Sequence, residues 1–411
     1  MESLNNGSYS AAAESFNKSI QLDGSNATAW MNLGLALTSQ GMHDEGLNAF
    51  NQSIEMDPAL AEAWHRKGIL LARMMRFDEA IETFSKAADL EPLAALPWYN
   101  KGLALANLGR YNESLIALDN ATVLDQDLPG AWYAKGLILT ELRRNNESIE
   151  ALKRTVELEP DYVDAWYNMG LVLTNSGRYD EALDAFSRAI ELNPADVRAW
   201  MGKGDVLMAR GRFNESISAY DGAILAASNQ SAPWGGKALA YLGLNNSSAS
   251  LAMIDKAIEI DPENARYWIS KGSIYRGMGN YNESVAAFQK AVQIDPGCAP
   301  CWNVLGLALA RQENHTGALA AYDRAIEIDP GYLDPWNNKG ISLVKGFSDL
   351  EEAIQCFERA IEINPDRMQS YVNLANVLNL TNRTEEADMA MQKATILGYR
   401  ADPAPIPSQA T

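Results

Sequence analysis

Histidine and cysteine are scarce in this chain, and the residue patterns of common enzyme sites are missing from it. The sequence has three histidines and three cysteines in 411 residues. It contains no glycine-rich phosphate loop, no His-Glu-x-x-His motif and no nucleophile elbow. His43, His65 and His315 lie in three separate parts of the sequence. We therefore predict a protein that is not an enzyme, and we expect neither a cofactor nor a metal site.

Basic residues and long apolar segments are also in short supply. Lysine and arginine number 34 against 53 aspartates and glutamates, which gives a net charge of -19. A surface of this charge repels nucleic-acid phosphates and anionic lipids. The sequence has no run of about 18 apolar residues and no charged segment followed by an apolar one at its start. We expect no nucleic-acid partner and no direct membrane insertion within this segment.

Tryptophan, by contrast, recurs with a constant spacing of 34 residues. The ten positions are Trp30, Trp64, Trp98, Trp132, Trp166, Trp200, Trp234, Trp268, Trp302 and Trp336. Four residues after each comes glycine or alanine, twenty after comes a large apolar residue in most copies, and proline closes most units. Two antiparallel helices need a small residue where they cross, a bulky one beside it and a proline where the second helix ends. The period therefore indicates tandem copies of one helix pair.

This pattern resembles the tetratricopeptide repeat family, in which each 34-residue unit is a helix hairpin. The resemblance implies an all-α fold, a right-handed superhelical α-solenoid of helix-turn-helix repeats. The first residues match only the second half of a unit. We therefore divide the chain into a partial repeat with a second helix only (1–27), eleven tandem repeats (28–399) and a Pro-rich tail (400–411).

Two repeats depart from the pattern. After Trp336 the spacing is one residue too long, which predicts an insertion in the turn around Gly346, Phe347 and Ser348. The repeat of Trp234 has glycine at the next two positions. Because glycine weakens a helix interior, we predict a bend or a looser junction there.

The family resemblance also implies a binding surface. In that family the first helices line a concave groove that binds an extended peptide or a partner helix, and the positions one, two and five after the tryptophan face it. The candidate binding residues here are Asn32, His65, Tyr99, Asn100, Tyr133, Tyr167, Asn168, Asn338 and Asn373. The asparagines resemble the ladder with which the arrays of O-linked N-acetylglucosamine transferases hold a peptide backbone. The alternative is that asparagine is simply common at this position in the family.

The type of ligand follows from the same positions. Chaperone-binding members of the family hold a terminal carboxylate with lysines and arginines, and here the corresponding residues are tyrosine, methionine and leucine. We expect this groove to prefer aromatic or apolar anchors to an acidic tail.

Asn-x-Ser/Thr triplets, the acceptors of N-glycosylation, are unusually frequent. The sequence has fifteen of them, where chance predicts about three. Six are named as N-glycosylation candidates: Asn26, Asn112, Asn146, Asn214, Asn282 and Asn314. Four of these share one repeat position, where the alternative is that asparagine caps the second helix. We predict an extracytoplasmic glycoprotein, secreted or at the cell surface, with an asparagine-rich cytoplasmic protein as the alternative.

The cysteines agree with either compartment. Cys298 and Cys301 are three residues apart at the start of a helix, and a local disulfide is expected if the protein is exported. No second pair is present to complete a zinc site.

Taken together, these features predict a protein-interaction scaffold that binds a peptide or protein in its groove. A self-assembling structural protein of the cell surface or of fibres, joined end to end, is the first alternative. The second is the recognition arm of a larger enzyme whose catalytic domain lies outside this segment.

Overall fold

The computed structural model describes residues 6–399, and in that range every regular element is an α-helix, 23 in number. The chain divides into two compact units, Met1–Val206 and Leu207–Thr411, with the division inside α12 (Val197–Ala209). The other helices of the first unit are α1 (Asn6–Leu22), α2 (Ala27–Ser39), α3 (His43–Met56), α4 (Ala61–Arg73), α5 (Phe77–Leu90), α6 (Ala95–Asn107), α7 (Tyr111–Leu124), α8 (Pro129–Glu141), α9 (Asn145–Leu158), α10 (Val163–Asn175) and α11 (Tyr179–Leu192). Those of the second unit are α13 (Phe213–Ala226), α14 (Ser231–Gly243), α15 (Ser247–Ile260), α16 (Ala265–Gly277), α17 (Tyr281–Ile294), α18 (Ala299–Arg311), α19 (His315–Ile328), α20 (Leu333–Phe347), α21 (Leu350–Ile363), α22 (Met368–Leu380) and α23 (Thr384–Ile396).

Consecutive helices pack as hairpins. In the first unit α2 packs on α3, α4 on α5, and so on to α10 and α11, and in the second unit the pairs run from α14 and α15 to α22 and α23. The all-α hairpin fold that the 34-residue period predicts is confirmed. The assignment of eleven repeats to residues 28–399 stays a prediction, and the Pro-rich tail lies outside the described residues.

The crossing of each hairpin explains the glycine of the repeat. A Cβ added to Gly170 in α10 would lie 2.7 Å from Cε1 of Phe186 in α11. Phe186 itself is fully buried. In the repeat of Trp234 the residue at the glycine position is Ala238, and the opposing residue is the smaller Ile254. In that repeat a larger residue at the crossing therefore faces a smaller partner than Phe186.

The recurring tryptophan fastens the turn that precedes it. Trp166 Nε1 donates a hydrogen bond of 2.9 Å to the carbonyl of Pro160, six residues earlier. Trp64 makes the same bond to Pro58 at 3.0 Å. This contact ties each first helix to the turn after the preceding second helix, and it accounts for the shared period of tryptophan and proline.

The structure bears on two predictions of local shape. The residue inserted near Gly346 lengthens α20 to 15 residues, and the helix ends at Ser348 in the left-handed region (φ 55°), so the extra residue is not confined to the turn. Helix α14 runs without interruption from Ser231 to Gly243, across Gly235 and Gly236, and the bend or looser junction stays a prediction. A Cβ at Gly236 would lie 2.6 Å from Cε1 of Tyr220, so this glycine makes room for a tyrosine ring.

Candidate functional site

The groove face is the side of the first helices that carries the residues one, two and five positions after each tryptophan. In a helix these positions lie on one side, because residues four apart follow one another along the axis. The nine predicted groove residues are all half-buried, with part of each side chain open to solvent. This exposure leaves them available to a ligand.

Asparagines of the groove face bond to the preceding hairpin. Asn100 Nδ2 donates to His65 Nε2 at 2.8 Å, and Asn168 Nδ2 donates to the Tyr133 hydroxyl at 3.0 Å. In each pair the asparagine two residues after one tryptophan meets the residue one after the tryptophan before it. A carboxamide has two N–H donors and an acceptor oxygen, so these bonds use only part of its capacity.

The same bond recurs in the second unit with a residue that the sequence did not single out. Asn338 Nδ2 donates to Asn303 Oδ1 at 2.9 Å, and Asn303 Nδ2 donates to the Tyr332 hydroxyl at 3.3 Å. Asn303 occupies the position one after its tryptophan, where the first unit has methionine, histidine or tyrosine. Asn373 differs, because its Oδ1 accepts from Gln369 and its Nδ2 is buried without a partner.

Two adjoining cavities open on the groove face between α4 and α6. The larger, of 700 Å³, is lined by His65, Ile69, Leu93, Leu96 and Asn100 among others. The second, of 400 Å³, shares Ile69 and Asn100 with it. Leu93 is 85% exposed and Leu96 is 50% exposed. The wall thus offers apolar side chains to solvent beside a polar carboxamide.

His65 is neutral in this setting. Burial lowers its pKa below 6.5, and the neighbouring Arg66 lowers the pKa further. Since Asn100 Nδ2 is a donor only, His65 Nε2 must be the acceptor, which places the ring proton on Nδ1. The pair therefore depends on the unprotonated imidazole.

Farther along the groove face, tyrosines gather near one ion-paired arginine. The rings of Tyr133 and Tyr162 are 4.9 Å apart, and burial raises the pKa of Tyr133 to about 12. Arg198 lies over the ring of Tyr167 at 4.7 Å. Its guanidinium also pairs with Asp196 and with Asp164, each at 2.8 Å, and these bonds raise its pKa, that to Asp196 most. Tyr162 and Arg198 stand four and two residues before a tryptophan, at positions outside the predicted groove face.

The glycosylation candidates are exposed, and none of the four residues considered as helix caps is one. All six asparagines have exposed side chains. Asn26 and Asn314 do cap α2 and α19, each with Oδ1 accepting a backbone N–H three residues later. The capping role considered for the four repeat-equivalent residues is wrong: Asn112, Asn146, Asn214 and Asn282 lie inside the first turn of their helices. Their helices begin one residue earlier, after an arginine or an asparagine.

The serine of these triplets has a structural role. Ser148 Oγ donates to the carbonyl of Gly136 at 2.8 Å, and Ser284 Oγ donates to that of Gly272 at the same distance. Both serines are fully buried. In the folded chain the hydroxyl of such a triplet is therefore enclosed while its asparagine is exposed.

The cysteine pair lies at the start of α18. Cys298 and Cys301 are joined by a disulfide with 5.3 Å between their Cα atoms. Cys298 is the N-cap residue, and Cys301 is buried in the core of the hairpin formed by α18 and α19. Cys356 is a free thiol, buried in α21.

The described residues contain neither a metal-binding cluster nor a membrane-spanning helix. No group of three or more histidine, cysteine or acidic side chains is arranged to hold a metal ion within residues 6–399. None of the helices in that range combines the length and apolar character needed to cross a membrane.

Several known structures are similar to this chain. Yeast Tom70 is 16% identical, covers 91% of this chain and 92% of its own, and has a TM-score of 0.45. YrrB, described as a tetratricopeptide repeat protein with an unusual peptide-binding site, is 21% identical over 46% of this chain and 96% of its own, with a TM-score of 0.37. MamA is 22% identical over 38% of this chain and 91% of its own, with a TM-score of 0.36. No curated protein sequence matches the chain.

Family models described as tetratricopeptide repeat match almost the whole sequence. The matched segments are residues 2–61, 65–131, 133–194, 167–232, 236–299, 272–332, 334–367 and 356–389. They coincide with the helix hairpins and with the tryptophan period. The chain therefore belongs to the tetratricopeptide repeat family.

Proposed function

We propose that this protein is a non-enzymatic scaffold that binds an extended peptide or a partner protein on its groove face. The observation that carries the proposal is the pair of adjoining cavities between α4 and α6, of 700 and 400 Å³, which share Ile69 and Asn100. A peptide side chain inserted there would bury apolar surface, and Asn100 would meet the peptide backbone.

The exposed leucines support an apolar anchor. Leu93 and Leu96 expose much of their surface at the rim of the larger cavity. Removing apolar surface from water is favourable by roughly 25 cal/mol per Å². Charged side chains at this cavity are Glu62, Arg66, Glu91 and Asp125, of both signs, so the cavity has no single charge that would select an acidic tail.

The experiment is a selection of random displayed peptides on the full chain, followed by affinity measurements on variants. We expect enriched peptides with aromatic or aliphatic residues, and we expect Ile69→Asp to weaken them by about tenfold or more. Leu225→Glu, at an exposed site on the second helix α13, is the matched control and should leave the affinity unchanged. Equal binding to wild type and Ile69→Asp would reject the groove face as the site.

We also propose that the protein is extracytoplasmic and N-glycosylated. The support is the excess of Asn-x-Ser/Thr triplets, the exposure of all six candidate asparagines and the disulfide at the start of α18. Asn26 and Asn314 cap their helices through Oδ1, so the cap does not use Nδ2, the atom that would carry the glycan. The packing role of the serines offers another reason for part of the excess.

Intact mass of the protein from its natural source tests this second proposal. A mass above 45.0 kDa that falls on removal of N-glycans supports it. A mass equal to that of the bare chain would reject glycosylation and leave helix packing as the reason for the triplets.

A further inference from the structure

Helix α7 breaks the repeat on a face that is exposed to solvent. In the neighbouring second helices the positions 18 and 25 after the tryptophan are acidic, and in α7 they are apolar. The residues are Glu82 and Asp89 on α5, Ile116 and Val123 on α7, and Glu150 and Glu157 on α9. Ile116 is 62% exposed and Val123 is 74% exposed. The chain itself shows that this position accepts a carboxylate, so the apolar residues are not required by the hairpin.

An ion pair is lost along with the carboxylate. In α9 the residue three before Glu157 is Arg154, and the two are 3.4 Å apart. In α11 the equivalent pair, Arg188 and Glu191, is 2.9 Å apart. In α7 the pair is replaced by Asn120 and Val123. The outer side of this one helix therefore lacks the charged pair that its neighbours carry.

The exposed face of α7 borders a large cleft. A cleft of 770 Å³ lies between α7 and α9, with Val123, Trp132 and Leu139 among its apolar lining residues. Ile116 and Val123 are seven residues apart, so they lie on the same side of α7 about two turns apart. Together they extend the apolar lining of the cleft along the helix.

Charged side chains of both signs lie beside this apolar surface. The carboxylates of Glu147, Glu150 and Glu157 on α9 line the cleft. Two cations in the cleft are already paired, Lys135 with Asp119 at 2.8 Å and Arg154 with Asp127 at 3.3 Å. Lys153, which is exposed, lines the cleft as well. Because the whole chain has a net charge of -19, the carboxylates of α9 favour a ligand that carries basic residues beside an apolar stripe.

We infer that the exposed face of α7 and the adjoining cleft form a second docking surface, which binds a basic amphipathic helix of a partner protein. A helix fits because the cleft runs between two helices, whose surface ridges accept those of a third. Its apolar stripe would cover Ile116 and Val123, and its lysines or arginines would meet the carboxylates of α9. This surface is made by second helices and is separate from the groove face of the first helices.

The test uses a fluorescein-labelled model peptide of about 18 residues, or five helical turns. Leucines form one face of the peptide and lysines and arginines flank them, and a scrambled peptide of the same composition is the comparison. A glycan on Asn146 would fill the cleft, so this surface is open only in chains that carry none at that residue. The full chain is therefore produced in a host that adds no N-glycans. Binding is followed by fluorescence anisotropy at two salt concentrations.

The variant Ile116→Gln/Val123→Gln removes the apolar surface of α7 without adding carboxylates, which would themselves attract a basic peptide. We expect it to weaken binding of the amphipathic peptide by about tenfold or more. Leu225→Gln is the matched control, because Leu225 is another exposed apolar residue at the position of Val123 and it lies on α13. Val123→Gln alone serves as a second test should the double variant unfold.

Two results would overturn the inference. One is binding of the amphipathic peptide to the double variant within about twofold of wild type. The other is equal affinity for the scrambled peptide, which would mean attraction by charge alone. Ile69→Asp on the groove face should leave the affinity for this peptide unchanged, although it should weaken peptides that bind the groove face. The two proposals can therefore fail independently.

Discussion

At the scale of single residues, the groove-face asparagines have a structural task besides any contact with a ligand. Asn100 and Asn168 each bind a side chain of the preceding hairpin. The acceptor is histidine in one case and tyrosine in the other. A ring at this position thus receives the same amide hydrogen bond, and only the histidine can be switched by protonation near neutral pH.

We predict that His65 titrates below its ordinary pKa of 6.5, because burial disfavours its charged form. The unfolded chain then takes up the proton first as the pH falls. The stability contributed by neutral His65 is fully present above pH 6.5 and is lost as the pH falls through the lower, folded pKa. An NMR titration of the imidazole measures this pKa directly.

His65→Tyr is the control, since it copies the bond of Tyr133 to Asn168 without a titrating ring. Between pH 7.5 and pH 5.5 the melting temperature of wild type should fall more than that of the variant. An equal fall in melting temperature for the two proteins, or an imidazole pKa above 6.5, would contradict the prediction that burial lowers the pKa of His65.

At the scale of helices, the hairpin crossing decides which residues repeat. Gly170 and Phe186 fill one crossing, and Ala238 and Ile254 fill another with the volume divided differently. Interiors packed to this density respond to a single methyl group.

We predict that Gly170→Ala destabilises the chain by about 1–3 kcal/mol, because its Cβ would press on the Phe186 ring. Gly170→Ala combined with Phe186→Ile should recover part of that loss, since it reproduces the pair found in α14 and α15. Urea unfolding of the two variants gives the comparison. A double variant that is less stable than Gly170→Ala would show that the two positions are not coupled by volume.

A second prediction at this scale separates packing from glycosylation at one triplet. Ser148→Ala removes the buried bond to the Gly136 carbonyl and should cost about 1–2 kcal/mol. Asn146→Gln abolishes the same triplet at an exposed position and should change stability by less than about 0.5 kcal/mol. If the site is glycosylated, both variants lose one glycan in mass spectra of protein from a glycosylating host. Equal stabilities of the two variants would show that the serine bond contributes nothing.

At the scale of the whole molecule, both proposed binding functions depend on surfaces. Within the first unit, the groove face and the exposed face of α7 are formed by different helices. End-to-end association stays a prediction, and light scattering over a range of concentrations tests it.

The cysteines provide a prediction for the intact chain. After equilibration with oxidised glutathione, the native protein should show no thiol that reacts quickly with a disulfide reagent. Cys298 and Cys301 are joined, and Cys356 is only 2% exposed, with a pKa that burial raises to about 12. After unfolding without reductant one thiol should react, and three should react after reduction. Three reactive thiols before reduction would show that the disulfide does not form.

The repeat period was sufficient to predict the hairpins, because every copy makes the same contacts with its neighbours in the chain. Tryptophan, glycine and the large apolar residue each have a packing role within one or two adjacent helices, such as Gly170 against Phe186. Contacts of this kind recur at a fixed spacing and leave a visible pattern. The sequence alone therefore determined the family and the all-α fold, and the side of the first helices that binds a ligand stays a prediction.

Only the tertiary structure showed which side chains form contacts between one hairpin and the next. The partners of Asn100 and Asn168 lie 35 residues away, and the α4–α6 cavity combines residues of two hairpins. The cap prediction for Asn146 failed because the helix begins one residue earlier, after Arg144, which pairs with Glu147 at 2.6 Å. Such features depend on which side chains are in contact in the folded chain, and the spacing of residues in the sequence does not specify those contacts.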